Sequence, residues 1–256
     1  MIHHYQKGQD HNMAVTYNTK SVSDSLVFNV DFRNIKTYPG SGGVATFNNS
    51  VGVDSANFVN SGGGFTPDFS QSQYGFQLRE STQARAYFST ANYGIMKSSS
   101  TTGQWSLEAF FKFYNCTSGN GNAWMGEQTI IGRLGCHSGI QFYDNLLYGH
   151  IKTNDCWNGA LWTGPHTLIN GNVYHVVFTY NNKVGKLYVN GSPASSNPTG
   201  SLGAAYTIGH DDNNLCIGIG SFVPNVDVYV ARGYTKELSQ SEITQNFNAL
   251  RGRYGI

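Results

Sequence analysis

Apolar and polar side chains alternate along much of this chain. In Leu26–Phe32, the side chains of Leu26, Phe28, Val30 and Phe32 share one face, and Asn29 and Asp31 share the other. A period of two is the signature of a half-buried strand. The pattern is clearest in Trp105–Phe113, where Trp105, Leu107, Ala109, Phe111 and Phe113 line one face and Glu108 and Lys112 mark the opposite one. This predicts a strand with Glu108 turned to solvent. Shorter runs predict strands at Val44–Phe47, Ala56–Val59, Gly75–Leu78, Arg85–Phe88, 128–134, 139–143, 146–153, Val173–Tyr180, Lys186–Val189, Tyr206–Gly209, Cys216–Gly220 and Asp227–Ala231. Asn190-Gly191 follows Lys186–Val189, and Asn-Gly is the strongest short-range hairpin signal. His175, inside a predicted strand, reads as a hydrogen-bonded sheet histidine. Residues 115–127 and Asn154–Pro165 read as long polar loops.

One helix is predicted. Ser239-Gln240-Ser241-Glu242 has the form of a capping box, with Ser239 as N-cap and Glu242 at the third helical position. Ile243, Phe247 and Leu250 then recur at helical spacing, and the helix is expected to end near Gly252. The expectation is a short helix packed on an edge of the strands. Residues 1–24 are polar and aperiodic and read as an N-terminal arm, with a second methionine at Met13; residues 25–256 read as one domain. More than a dozen short strands with frequent turns and one terminal helix predict an all-β, two-sheet antiparallel jelly-roll sandwich.

Composition reinforces this reading. Charged residues are 12% of the chain, about half the usual share. The 31 glycines, 16 tyrosines and 15 phenylalanines suit turns and pleated strands. The net charge of +1 gives no basic footprint for nucleic acid and no polybasic cluster for a membrane surface. No apolar run reaches transmembrane length, and residues 1–20 do not show the apolar central region expected of a secretory signal. Cys116, Cys136, Cys156 and Cys216 form no CxxC pair, which argues against zinc. A Cys136–Cys156 disulfide and four buried thiols are the two readings.

The segments Trp105–Phe113, Thr129–Gly132, Tyr174–Tyr180 and Lys186–Gly191, followed by Asp227–Ala231 and Lys236–Ile243, resemble in this order the strand signatures of the concanavalin A-like lectin/glucanase superfamily, and within it the laminin G-like domains. Leu26–Phe32 with Tyr38–Gly42, and the ending Gln245–Gly255, resemble laminin G-like proteins of tailed bacteriophages, especially those of cyanobacteria. The resemblance implies a concanavalin A-like sandwich and a virion structural role, as head decoration, fibre or tail-associated adhesin. The loops match poorly, so no ligand specificity is carried over.

Glucanases of this superfamily set two or three carboxylates on alternate positions of one strand. The five glutamates here, Glu80, Glu108, Glu127, Glu237 and Glu242, include no such pair, and no Gly-x-Ser-x-Gly elbow is present. No catalytic residue is therefore assigned. Lectin-like sandwiches hold calcium at a loop rim through oxygen ligands. Asp211 and Asp212, followed by Asn213 and Asn214, form the densest oxygen cluster; a calcium site and a solvated turn are the two readings. A sugar site needs an aromatic plane and hydrogen-bonding partners for hydroxyls. Trp124, Trp157 and Trp162 fall in the predicted loops with Asp155 and Asn158 nearby, and are the candidate ligand contacts. Capping the core or filling a subunit contact is the competing role.

The expected function is that of a non-enzymatic bacteriophage virion protein. It would contact host-surface polysaccharide or neighbouring virion proteins as a homo-oligomer, assembled in the host cytoplasm and exposed after lysis. A glycan-cleaving enzyme of the same fold and a cellular surface lectin or adhesin are the alternatives.

Overall fold

The computed structural model describes residues 20–32, 46–48, 51, 55–60, 75–78, 84–89, 95, 103–115, 128–133, 138–143, 145–152, 159–201, 203, 214–219 and 225–256. Along the chain they form β1 (Leu26–Asp31), β2 (Thr46–Asn48), β3 (Ser55–Asn60), β4 (Phe76–Leu78), β5 (Ala84–Ser89), β6 (Gln104–Asn115), β7 (Gln128–Arg133) and β8 (Ser138–Tyr143). There follow β9 (Leu146–Lys152), β10 (Gly159–Thr167), β11 (Val173–Asn181), β12 (Val184–Val189), β13 (Ser192–Pro193), β14 (Thr199–Ser201), β15 (Asn214–Ile219), β16 (Asn225–Tyr234) and α1 (Gln240–Tyr254). The first sheet runs β1-β16-β6-β11-β12-β13, with β4 also on β16 and β14 also on β12. The second runs β10-β9-β8-β7-β15-β5-β3-β2. Every pairing is antiparallel. The expected two-sheet sandwich with one C-terminal helix is the observed fold.

The inner faces meet in one aromatic core. Trp105, Leu107, Ala109, Phe111 and Phe113 of β6 all lie in it, as their alternation predicts. Phe111 and Phe113 reach Phe142 of the second sheet with ring centroids 5.6 and 5.5 Å apart. Within the first sheet, Trp105 stacks on its register partner Tyr180 at 5.3 Å. The hairpin forms where expected: Asn190 and Gly191 both have positive φ, 50° and 78°, as a type I′ turn requires.

Two expectations are corrected. Residues 159–167 form strand β10, so Trp162 sits on a strand and not in a loop. The helix ends near Gly252 as expected, running to Tyr254 and stopping at Gly255, whose φ of 76° ends it in the left-handed conformation. It packs, however, over the outer face of the first sheet instead of on an edge. Leu250 and Tyr254 cluster with Phe110 of β6 and Tyr229 and Val230 of β16, while Ile243 joins Val177, Tyr188 and Tyr234. Covered on both faces, β11 and β16 are buried almost end to end. The predicted strand Tyr206–Gly209 and the cysteines other than Cys216 lie outside the described residues; Cys216 is a buried free thiol.

The capping box is present in full. The Ser239 hydroxyl accepts from the Glu242 amide, and the Glu242 carboxylate accepts from the Ser239 amide at 2.9 Å. Ser239→Ala is expected to cost about 1 kcal/mol of stability, the usual value of a lost N-cap, read as a lower midpoint in urea. At the other end Arg253 clasps Asp31 of β1 with both guanidinium nitrogens, at 2.5 and 3.0 Å.

Candidate functional site

Of the candidate ligand contacts, Trp162 is described, whereas Trp124, Trp157, Asp155 and Asn158 lie outside the described residues, as do Asp211 and Asp212. Among the described residues no group of three His, Cys, Asp or Glu side chains is placed to hold a metal, and no helix is long and apolar enough to cross a membrane.

Strand β10 is an end strand of the second sheet, and Trp162 pairs in register with His150 of β9. Leu161 belongs to the core, so alternation sends Trp162 to the outer face. There the indole stacks on the imidazole of His150, with centroids 3.7 Å apart and planes 19° apart. Tyr148 meets it edge-on at 5.3 Å. His150 is fully buried, yet Trp162 remains 38% exposed. Because the imidazole covers one indole face, the exposed area lies on the other face and the ring edge. His150 Nδ1 is 2.9 Å from the side-chain oxygen of Gln141 on β8. An amide oxygen only accepts, so Nδ1 donates. The result is a flat aromatic surface, fixed from beneath and open above.

Neighbouring backbone holds β10 in place. Gly164 donates to the Asn197 carbonyl at 2.8 Å. Gly200 of β14 approaches so closely that a Cβ there would lie 2.4 Å from the Trp162 carbonyl oxygen. Gly200→Ala must therefore push β14 and β10 apart. An overpacking cost of about 1–3 kcal/mol is expected, measurable by thermal unfolding.

A second polar cluster sits on the opposite side of the molecule, beneath α1. The prediction that Glu108 faces solvent is wrong: it is fully buried because the helix covers that face. One carboxylate oxygen lies 3.0 Å from His175 Nε2 and 3.5 Å from the Arg232 guanidinium. The other accepts from Tyr234 at 2.8 Å and from Asn246 of the helix at 2.9 Å. Asn246 in turn accepts from the Val22 amide at 2.7 Å, so the segment before β1 is tied to the helix through the same cluster. Burial alone would raise the Glu108 carboxyl. The charge of Arg232, the bond from His175 and the hydroxyl of Tyr234 outweigh it and hold it at about 2. His175 is thus the hydrogen-bonded sheet histidine its sequence context suggests, its ring between Phe110 and Phe247 at 4.4 and 5.7 Å.

A register shift in β16 assembles this cluster. Val226 and Val228 are core residues, and strict alternation would carry Arg232 and Tyr234 into the core as well. The shift between Val228 and Val230 reverses the phase, so Arg232 pairs with Glu108 and Tyr234 with Ser106. Chain alternation gives no sign of it. At the other site, Tyr148 and His150 carry the two-residue spacing of a shared face, a signal available in the sequence, but their pairing with Trp162 comes only from strand register.

No curated protein sequence matches the chain. Solved structures resemble it at low identity. The sialidase of Trypanosoma rangeli in complex with sialic acid aligns at 17% identity and a TM-score of 0.56, over 88% of this chain and 33% of the sialidase. The binding domain of botulinum neurotoxin DC in complex with SialylT aligns at 14% and 0.60, over 89% and 52%. The receptor binding domain of the botulinum neurotoxin C/D mosaic serotype aligns at 16% and 0.57, over 87% and 51%. The chain thus spans from a third to about half of these proteins, and the likeness concerns the fold alone. Residues 90–244, more than half of the chain, match the laminin G-like family model of the concanavalin A-like lectin/glucanases superfamily. With the two-sheet sandwich, this shows that the chain belongs to the concanavalin A-like lectin/glucanases superfamily.

Proposed function

We propose that the protein is a non-enzymatic, lectin-type binding module that docks the apolar face of a sugar ring on the indole of Trp162. The observation that carries this reading is the half-open indole, stacked on the buried His150 ring at 3.7 Å. Sugar sites pair a rigid aromatic plane with a few polar groups, and an indole fixed before the ligand arrives costs little ordering entropy on binding. Trp157, Asp155 and Asn158 precede Trp162 closely in sequence and, with Trp124, are the further contacts proposed. Asp211 and Asp212 are the calcium ligands to test.

The absence of catalysis is part of the proposal. His150 and Tyr148, the described ring neighbours of Trp162, carry no carboxylate, and Asp155, the one carboxylate among the proposed sugar contacts, does not supply the pair that glycoside hydrolysis needs. Glu108 is ionised, buried and engaged on both oxygens, which suits neither a nucleophile nor a general acid. The proposed setting is a bacteriophage virion, in which homo-oligomeric copies contact neighbouring virion proteins and host-surface polysaccharide. Its support is the resemblance, read from the sequence, of Leu26–Phe32, Tyr38–Gly42 and Gln245–Gly255 to laminin G-like phage proteins.

A glycan array screened with and without calcium tests the binding reading, and mass spectrometry of purified particles tests the setting. Selective capture of at least one glycan without release of reducing sugar is expected. Release of reducing sugar from a bound glycan would replace the module with an enzyme, and absence from particles would remove the virion setting.

A further inference from the structure

We infer that Gln141 and His150 are positioning residues which set the plane of the Trp162 indole before any ligand arrives. The inference rests on the lectin reading above and adds two residues that touch no sugar. Three neighbouring strands each contribute one side chain: Gln141 from β8, His150 from β9 and Trp162 from β10. The register partner of His150 on β8 is Gly139. A Cβ at Gly139 would lie 2.3 Å from the Ile131 carbonyl oxygen and 2.6 Å from the Gly132 Cα, so that position stays bare. With no side chain directly opposite, the amide of Gln141, two residues along the same face, reaches the imidazole at 2.9 Å. That bond selects the Nδ1–H tautomer and opposes rotation of the ring.

Burial makes the arrangement stiff. Gln141 and His150 are 1% and 0% exposed, so neither exchanges its partner for water. The Gln141 amide nitrogen has no hydrogen-bond partner among the described residues. A side chain selected for stability alone would be apolar here, since half of its polar end goes unsatisfied. Orientation of His150 accounts for the amide oxygen. The imidazole then lies 19° from the indole plane, with its centroid 3.7 Å from that of the indole. Because stacking falls off as rings tilt, the angle set by Gln141 passes through His150 to the open indole surface.

The test is a double-mutant cycle on the full chain with Gln141→Met, His150→Phe and both together. Each variant is checked for native near-UV circular dichroism. The two readouts are affinity for the strongest binder of the glycan array and ¹⁵N relaxation of the Trp162 indole N–H, assigned with Trp162→Phe. Gln141→Met is expected to weaken binding about three- to tenfold and to mobilise the indole, whereas in the His150→Phe background the same change does nothing, because a phenyl ring has no tautomer to select. Equal effects in both backgrounds, or an unchanged indole in Gln141→Met, would overturn the inference. If the wild type captures no glycan yet Gln141→Met still frees the indole, positioning stands and the lectin reading falls.

Discussion

Glu108→Ala is expected to destabilise the protein by about 3–5 kcal/mol, the range seen when one partner of a buried ion pair is removed. The variant leaves Arg232 buried without its carboxylate and strips acceptors from His175, Tyr234 and Asn246 at once. Arg232 keeps the bond from its Nε to the Asn29 side chain at 2.9 Å and the influence of Tyr234 and Asp31, but loses Glu108, the largest favourable influence on its charge. Asn246 also holds Val22, so the loss reaches the helix and the segment before β1 together. Guanidinium denaturation measures it, and a change below about 1 kcal/mol, the level of an ordinary surface substitution, would refute the role given to the cluster.

Acid gives an independent check. The folded carboxyl of Glu108 titrates at about 2, below its ordinary 4.5. A depressed pKa means the unfolded chain takes up the proton first, so its contribution is fully present above about 4.5 and is lost as pH falls from there towards 2. Wild-type stability should therefore decline across that window, and part of the decline should be missing in Glu108→Gln. Parallel curves for the two proteins would mean that the cluster does not hold the charge as described.

Trp162→Ala is expected to weaken capture of any glycan the wild type binds by at least about tenfold, equivalent to ~1.4 kcal/mol, because the stacking plane disappears. Stability should fall by only about 1 kcal/mol, since the indole is already 38% exposed and its removal opens no closed cavity. Trp162→Phe keeps a smaller plane and should lie between the two. Undiminished binding by a correctly folded Trp162→Ala would remove the platform from the proposed function, whereas loss of binding with loss of fold would be seen in circular dichroism.

Much of the architecture is legible along the chain because strands and caps obey local rules. The five inward residues of β6 follow from alternation, the Asn190-Gly191 turn from its need for positive φ, and the helix start from the reciprocal bonds of Ser239 and Glu242. The helix end is legible only to within a few residues: the sequence places it near Gly252, and packing of Tyr254 against Phe110 and Tyr229 sets where it falls. The indole of Trp162 marks it as a candidate contact, but the sequence around it reads as a loop. Its segment, Gly159–Thr167, mixes glycine, proline and polar residues, and it becomes a strand by pairing with β9. His150 has only its two-residue spacing from Tyr148 as a signal, and Gln141 has none beyond membership of a predicted strand.

The sequence by itself determined the class of fold, which side chains of β6 form the core, and where the helix begins, since each depends on periods and contacts within a few residues. Only the tertiary structure decided that Glu108 is buried, because its exposure depends on a helix more than a hundred positions away lying over that face. It also decided which residues meet. One register shift in β16 brings Arg232 and Tyr234 to Glu108, and the pairing of β9 with β10 brings His150 beneath Trp162. Strand register is a property of two chains of side chains fitted together, and neither strand states it alone.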